Sequence, residues 1–335
     1  MGSSILRDVA AIVAGLSTMS LLLAQEPSKL PSSPSSKTAP MQLMVDSKES
    51  EPVTAAPVTV EQGDSSGDDS SGGFLTSDRG FPNFIGFVSN PTRNFDPRSL
   101  TQLWPIFTYA WTDPFRVIPS GQLSAYGPGF SAALTERLCV GLSSGGPMWA
   151  HFDRQRTGWT NLGGFAQCTI IRDTDDQFLL TGGLIWEAPS GSKEIFQGSP
   201  PAYLAPYLTV GKEFGCFHVL ATTGYNFAAE SVPVTVNSYY ANFHIDRQIG
   251  GWFYPLLEFN GTWSNHTVDF TLTNAPGLIE FGRFDGTGGM FTVAPGFNAV
   301  LIQDRLEVGA IYETPIWSQR NFNFNSLLVK MIIRF

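Results

Sequence analysis

The chain has 335 residues, a formal net charge of −9, only 15% charged residues, and 34 Gly, 26 Phe and 8 Trp. An acidic balance excludes nucleic acid as a partner, because phosphate binding requires a concentrated basic surface. No stretch after the N-terminus is apolar over the roughly 18 residues of a membrane helix, so a bilayer would be crossed only by strands closed into a barrel.

In chain order, Arg7 precedes an apolar or small run from Val9 to Leu23. Leu22-Leu23-Ala24 before Gln25-Glu26-Pro27 resembles a signal-peptidase site, although Leu22 is bulkier than usual there, and residues 1–24 read as a signal peptide removed on export. Residues 25–73 hold no aromatic residue and are rich in Ser, Pro, Asp and Glu. Such a segment buries too little apolar area to offset its ordering entropy and reads as a disordered linker. Phe74 marks the composition shift; residues 74–98 read as a periplasmic lead-in and 99–335 as the barrel.

From there the pattern is all-β. Five polar turns recur, at Thr135-Glu136, Asp173 to Asp176, Gly211 to Glu213, Asp246 to Gln248 and Gln303 to Arg305. They frame strands at 101–111, 122–134, 137–146, 159–171, 177–188, 201–211, 214–227, 236–246, 251–263, 290–302, 305–315 and 323–335. The set defines a transmembrane, antiparallel, up-and-down β-barrel of about twelve strands, an even number that returns both ends to one side. Short turns then share the side of the termini and longer loops lie opposite; the loop 264–289 is the candidate gate.

Period-two alternation assigns faces. Leu103, Pro105, Phe107, Tyr109 and Trp111 share one face of the first strand, as do Phe253, Pro255, Leu257 and Phe259 of the ninth. A soluble sandwich or lipocalin-like barrel shows the same alternation, but long strands, scattered glycines and aromatics near strand ends (Trp104, Trp111, Trp159, Trp186, Trp263, Tyr312) favour lipid outside. The candidate lumen residues are Glu258, Glu307, Glu313, Lys330 and Arg334. Met331, Ile333 and Phe335 on the other face of the last strand form the candidate signal for the outer-membrane assembly machinery.

Cys139, Cys168 and Cys216 form no CxxC, and alternation places Cys139 and Cys168 on opposite faces, against a disulfide between them. Neither a metal-ligand cluster nor a cofactor motif is present. Of the four histidines, His151 and His266 fall in loops, whereas His218 and His244 lie on strands where they could be neighbours near the periplasmic end. No serine accompanies either in the manner of a nucleophile and its base, so no catalytic residue is assigned.

Several stretches carry a family likeness: Asn90-Pro91 leading to Asp96-Pro97-Arg98-Ser99-Leu100-Thr101, Trp104-Pro105-Ile106-Phe107, Ala133 to Leu138, Gly158-Trp159, Thr181-Gly182-Gly183-Leu184 with Pro189-Ser190-Gly191, and Tyr254 to Gly261. With these, the region from about Ser89 to the end resembles the bacterial outer-membrane barrel family labelled "MetA-pathway of phenol degradation". The resemblance implies an outer-membrane transporter and does not identify its solute. The expectation is a narrow channel for small solutes, set in the lipid bilayer of the bacterial outer membrane with its linker in the periplasm. A non-conducting structural or adhesive barrel presenting its outer loops is the alternative, and an outer-membrane hydrolase a more remote one.

Overall fold

A computed structural model describes residues 75–114, 120–152, 154–195, 197–198, 201–230, 237–264, 288–319 and 324–335. The sequence-assigned signal peptide, the linker, most of the loop 264–289 and His266 lie outside them. Fourteen strands form one antiparallel sheet: β1 Gln102–Thr112, β2 Gly121–Ala133, β3 Leu138–Ser144, β4 Pro147–His151, β5 Gln155–Trp159, β6 Leu162–Asp173, β7 Phe178–Ala188, β8 Tyr203–Phe214, β9 Phe217–Ala228, β10 Ser238–Arg247, β11 Phe253–Ser264, β12 Gly288–Ile302, β13 Leu306–Gln319 and β14 Phe324–Arg334. β1 pairs with both β2 and β14, which closes the sheet. With the β4–β5 hairpin set aside, the ring has twelve members, in the order β1, β14 down to β6, β3, β2.

The sequence-assigned third and fourth strands, 137–146 and 159–171, match β3 and β6, and the interval between them, assigned to a loop, holds two further short strands, β4 and β5. β2 pairs with β3 through Phe130 to Ala133 and with β4 through Gln122 to Ala125, so β3 and β4 succeed one another along a single wall position. The step falls at Gly145 (φ +128°) and Gly146, where a Cβ on Gly146 would lie 2.0 Å from the Tyr126 carbonyl oxygen. Only glycine permits both the conformation and the approach.

Two turns move from their sequence-assigned places. Lys212 and Glu213 stay in β8, and the chain reverses at Gly215 (φ +66°) and Cys216. Asp246 and Arg247 stay in β10, and reversal uses Gly250 (φ +61°) and Gly251 (φ +75°). In both cases the hairpin forms where glycine can take positive φ, and the polar residues expected in the turn remain paired in the ladder.

The faces follow the alternation. On β14, Leu327, Val329 and Phe335 are exposed and Met331 and Ile333 half-buried, while Ser326, Leu328, Lys330 and Ile332 are buried toward the inside. Apolar residues face outward along a closed wall, as a lipid solvent requires, and no helix among the described residues is long and apolar enough to cross a membrane. Exposed Trp149, Trp159, Trp186, Trp263 and Trp317 gather toward the end opposite the termini, with Trp252 and Phe335 at the other. Trp104 is the exception to the girdle assignment: it points inward and is 4% exposed. The cysteines are free, with Cys139 buried inward and Cys168 exposed outward.

Inward aromatics rest on glycines of the adjoining strand. Trp104 lies over its pairing partner Gly129, where an added Cβ would stand 1.8 Å from the indole nitrogen, and Tyr240 lies over Gly224, where it would stand 2.3 Å from the hydroxyl. Gly129→Val is therefore expected to force Trp104 from its seat at a cost of about 1–3 kcal/mol, the range of overpacked cores. Urea unfolding of the detergent-refolded barrel, followed by tryptophan fluorescence, checks this; an unchanged midpoint would mean the ring is not held there.

Candidate functional site

The lumen holds the segment that precedes β1. Residues 75–98, assigned from sequence to a periplasmic lead-in, are mostly buried, with Phe81, Phe84, Ile85, Phe87, Val88, Ser89, Arg93, Asn94, Phe95 and Arg98 all below 5% exposure. They contact Gln167 on β6, Thr181 on β7, Tyr207 on β8, Asn226 on β9, Asn242 on β10, Glu258 on β11 and Lys330 on β14. A segment that touches strands all round a closed ring lies inside it. The correction has a physical reason: six large apolar residues in this short stretch would be costly to leave in water.

The plug is an irregular hairpin. One arm begins near the termini, where the Asp78 amide donates to the Ser99 carbonyl (2.7 Å), and the chain reverses at Asn90 (φ +46°), whose carbonyl accepts from the amides of Arg93 and Asn94. Arg98 staples the arms together. Its guanidinium pairs bidentately with Asp96 (Nε to Oδ1 2.9 Å, Nη2 to Oδ2 2.6 Å) and donates to the Phe81 carbonyl at 3.0 Å. At the foot, Phe81, Phe84 and Phe87 pack with Leu179 and Leu220; higher up, Phe95 stacks on Phe165 with centroids 4.0 Å apart.

Polar wall residues hold the plug backbone. Glu258, with no solvent exposure, accepts from the amides of Val88 (2.8 Å) and Ser89 (2.6 Å). Lys330 donates to the Phe87 carbonyl (2.8 Å) with its ammonium 5.8 Å from the Trp104 ring centre. Gln167 donates to the carbonyls of Asp96 and Arg98 and accepts from the Tyr207 hydroxyl. Glu313 accepts from Thr292 (2.5 Å) and Asn260 (2.8 Å), and Asn260 also donates to Ser89 Oγ (2.9 Å). Glu307 pairs with Arg334 and accepts from Asn298. All five sequence-assigned lumen residues thus point inward, where Glu258 and Lys330 bind the plug directly and Glu307, Glu313 and Arg334 sit in wall networks around it.

His218 and His244 are neighbours, as their strands implied. His244 donates from Nδ1 to Glu258 (2.7 Å) and from Nε2 to Asp246 (2.9 Å), while His218 Nδ1 lies 2.7 Å from the other Asp246 oxygen. A neutral imidazole has one N–H, so two hydrogen bonds to ionised carboxylates require His244 to carry both protons. The result is a buried charged chain ending on the plug. His151 sits exposed at the end of β4, apart from it.

Among the described residues, a cavity of about 10 Å³, room for a single water, lies beside the Arg98–Asp96 pair and is lined among others by Asp96, Arg98, Trp104 and Lys330. Among the described residues no group of His, Cys, Asp and Glu is arranged to hold a metal ion.

No protein-family model and no curated protein matches the chain. Among solved structures, an outer membrane channel from Pseudomonas putida F1 matches with a TM-score of 0.54 at 11% identity, covering 73% of this chain and 98% of that one. The β domain of the Bordetella autotransporter BrkA matches at 0.45 and 13%, covering 70% of this chain and all of the other, and the translocator domain of the autotransporter NalP from Neisseria meningitidis at 0.42 and 10%, covering 70% and 88%. The fold is that of an outer-membrane β-barrel.

Glu258→Ala leaves two buried plug amides without their acceptor and His244 with Asp246 alone. Loss of one partner of a buried charged contact costs about 3–5 kcal/mol. Hydrogen exchange at Val88 and Ser89 in detergent micelles is expected to accelerate by at least about a hundredfold; unchanged protection would show that other contacts hold the plug.

Proposed function

We propose that the protein is a gated outer-membrane channel for small solutes, closed in this conformation by its own N-terminal plug. The observation that carries the reading is the way the plug is held: a foot of phenylalanines, the Phe95–Phe165 stack above it, and hydrogen bonds from wall side chains to plug backbone and amides, which water can replace when the plug moves. Twelve strands leave a lumen that such a segment fills, so opening requires its displacement rather than the movement of an outer loop alone. Similarity to an outer membrane channel supports the reading at the level of fold. The finer family resemblance, to phenol-pathway transporters, is consistent with it and leaves the solute unassigned.

In this reading residues 1–24 direct export, 25–73 form a periplasmic spacer, the lipid bilayer surrounds the apolar wall, and Met331, Ile333 and Phe335 address the assembly machinery. No catalytic role is proposed. Among the described residues, the hydrogen-bond partners of His218 and His244 are carboxylates. The burial of the plug residues against the wall favours a second reading, a permanently sealed barrel whose outer loops meet partners.

Planar-bilayer conductance separates the two. The intact chain is expected to show infrequent openings, and a variant lacking residues 77–97 steady ones of larger unit size. A variant with cysteines at Ser89 and Asn260, whose side chains touch, should stay shut when oxidised and recover on reduction, in a background without Cys139, Cys168 and Cys216. Absence of current from a folded, inserted plug-deleted barrel would leave the sealed barrel as the answer.

A further inference from the structure

The plug occupies the lumen as a ligand would, and its contacts map what the wall can bind. On the inner face of β9, β10 and β11 it offers positive charge or N–H donors at three places, one of them the Asn94 side-chain amide, which donates to Asn260 Oδ1 (3.3 Å). Of the other two, the first is Glu258, which takes the two backbone amides. The second is nearer the outer end, where the buried Arg93 guanidinium donates to Asn226 Oδ1 (3.0 Å) and stands 5.8 Å from the Tyr240 ring centre. An aromatic face beside an amide oxygen is a receptor for an organic cation, and guanidinium suits it because it is planar and weakly hydrated.

The charges around this face point the same way. Its inward positions carry His218, His244, Asp246 and Glu258 and, among the described residues, no Lys or Arg. Glu213 on β8 and Glu307 and Glu313 on β13 flank it, whereas Lys330 and Arg334 stand on β14 and Arg172 on β6. With His244 charged, Asp246 and Glu258 still leave the face net negative. In a lumen of low dielectric such a wall raises the local concentration of cations and repels anions.

We propose that the inner face of β9–β11 is the solute-binding surface of this channel and selects small organic cations bearing amine or guanidinium groups, through Glu258 and the Asn226–Tyr240 pair. The inference rests on the channel reading and adds the chemical class of the solute. Arg93 is then an internal stand-in for that solute: a guanidinium parked in the site while the channel is closed.

Swelling of proteoliposomes containing the full chain, in isotonic L-arginine or L-glutamate, tests it with probes of similar length and opposite charge. Arginine is expected to enter about tenfold faster, the effect of one hydrogen bond to a charged group. Glu258→Gln should bring the ratio toward one, and Asn226→Ala provides the same test should that variant fail to fold, as judged by heat-modifiable migration. Arg93→Ala, which vacates the site, should raise arginine entry without raising glutamate entry. Equal rates for the two solutes, or faster glutamate, would overturn the selectivity and leave the channel standing. If neither enters even with residues 77–97 removed, both readings fall together.

Discussion

Everything in the lumen depends on one constraint: a carboxylate taken wholly out of water must find donors. Glu258 sits at the middle of β11 with no solvent exposure and meets the constraint by accepting from two plug amides and from His244. The plug's position at Val88 and Ser89, the charge on His244 and the placement of Asp246 all follow from this one group. An ionised carboxylate with fewer partners would shift toward its neutral form or draw water inside.

The wall is organised so that this interior can exist. Outward residues are apolar and need no partner, which suits a solvent that offers none. Inward residues alternate between polar groups that seize the plug and aromatics that lie flat over neighbouring glycines, as Trp104 does over Gly129 and Tyr240 over Gly224. Without those glycines the rings would stand into the lumen and exclude the second chain that fills it. The same residue type at Gly145 and Gly146 separates β3 from β4, which continues along β2 with β5 instead of β6 on its other side.

Much of this was legible in the sequence, because strand period and turn chemistry are local. The strand limits agree with the structure to within a few residues, the β4–β5 hairpin in the interval assigned to a loop being the exception, and the inward assignment of Glu258, Glu307, Glu313, Lys330 and Arg334 follows from parity alone. Trp104 was misread because proximity to a strand end says nothing about face, and its parity, shared with Gln102 and Ile106, carried the better signal. The plug was not legible as such, since it has neither period two nor period 3.6. Its signal was compositional: Phe81, Phe84, Ile85, Phe87, Val88 and Phe95 in an aperiodic stretch beside a barrel require a dry place, and the lumen is the one available. Its partners lie up to 243 residues away, which no local pattern reports.

The plug's two ends are held by different physics, and that difference ranks its movements. Exposing a buried Phe costs about 1.5–3 kcal/mol, so withdrawing the foot formed by Phe81, Phe84 and Phe87 is the expensive step. At the tip, Asn94 contacts Asn242 and Asn260, and Arg93 contacts Asn226. Exchanged for water, each neutral hydrogen bond of Asn94 loses only about 0.5–1.5 kcal/mol net, and the single charge-assisted one of Arg93 about 1.5–3 kcal/mol. A tip that folds away from β9–β11 while the foot stays seated is therefore the cheaper displacement, and it uncovers Asn226, Tyr240 and Asn260 before Glu258. Opening by this route begins at the outer end of the lumen and leaves the charged contacts of Glu258 as the final barrier.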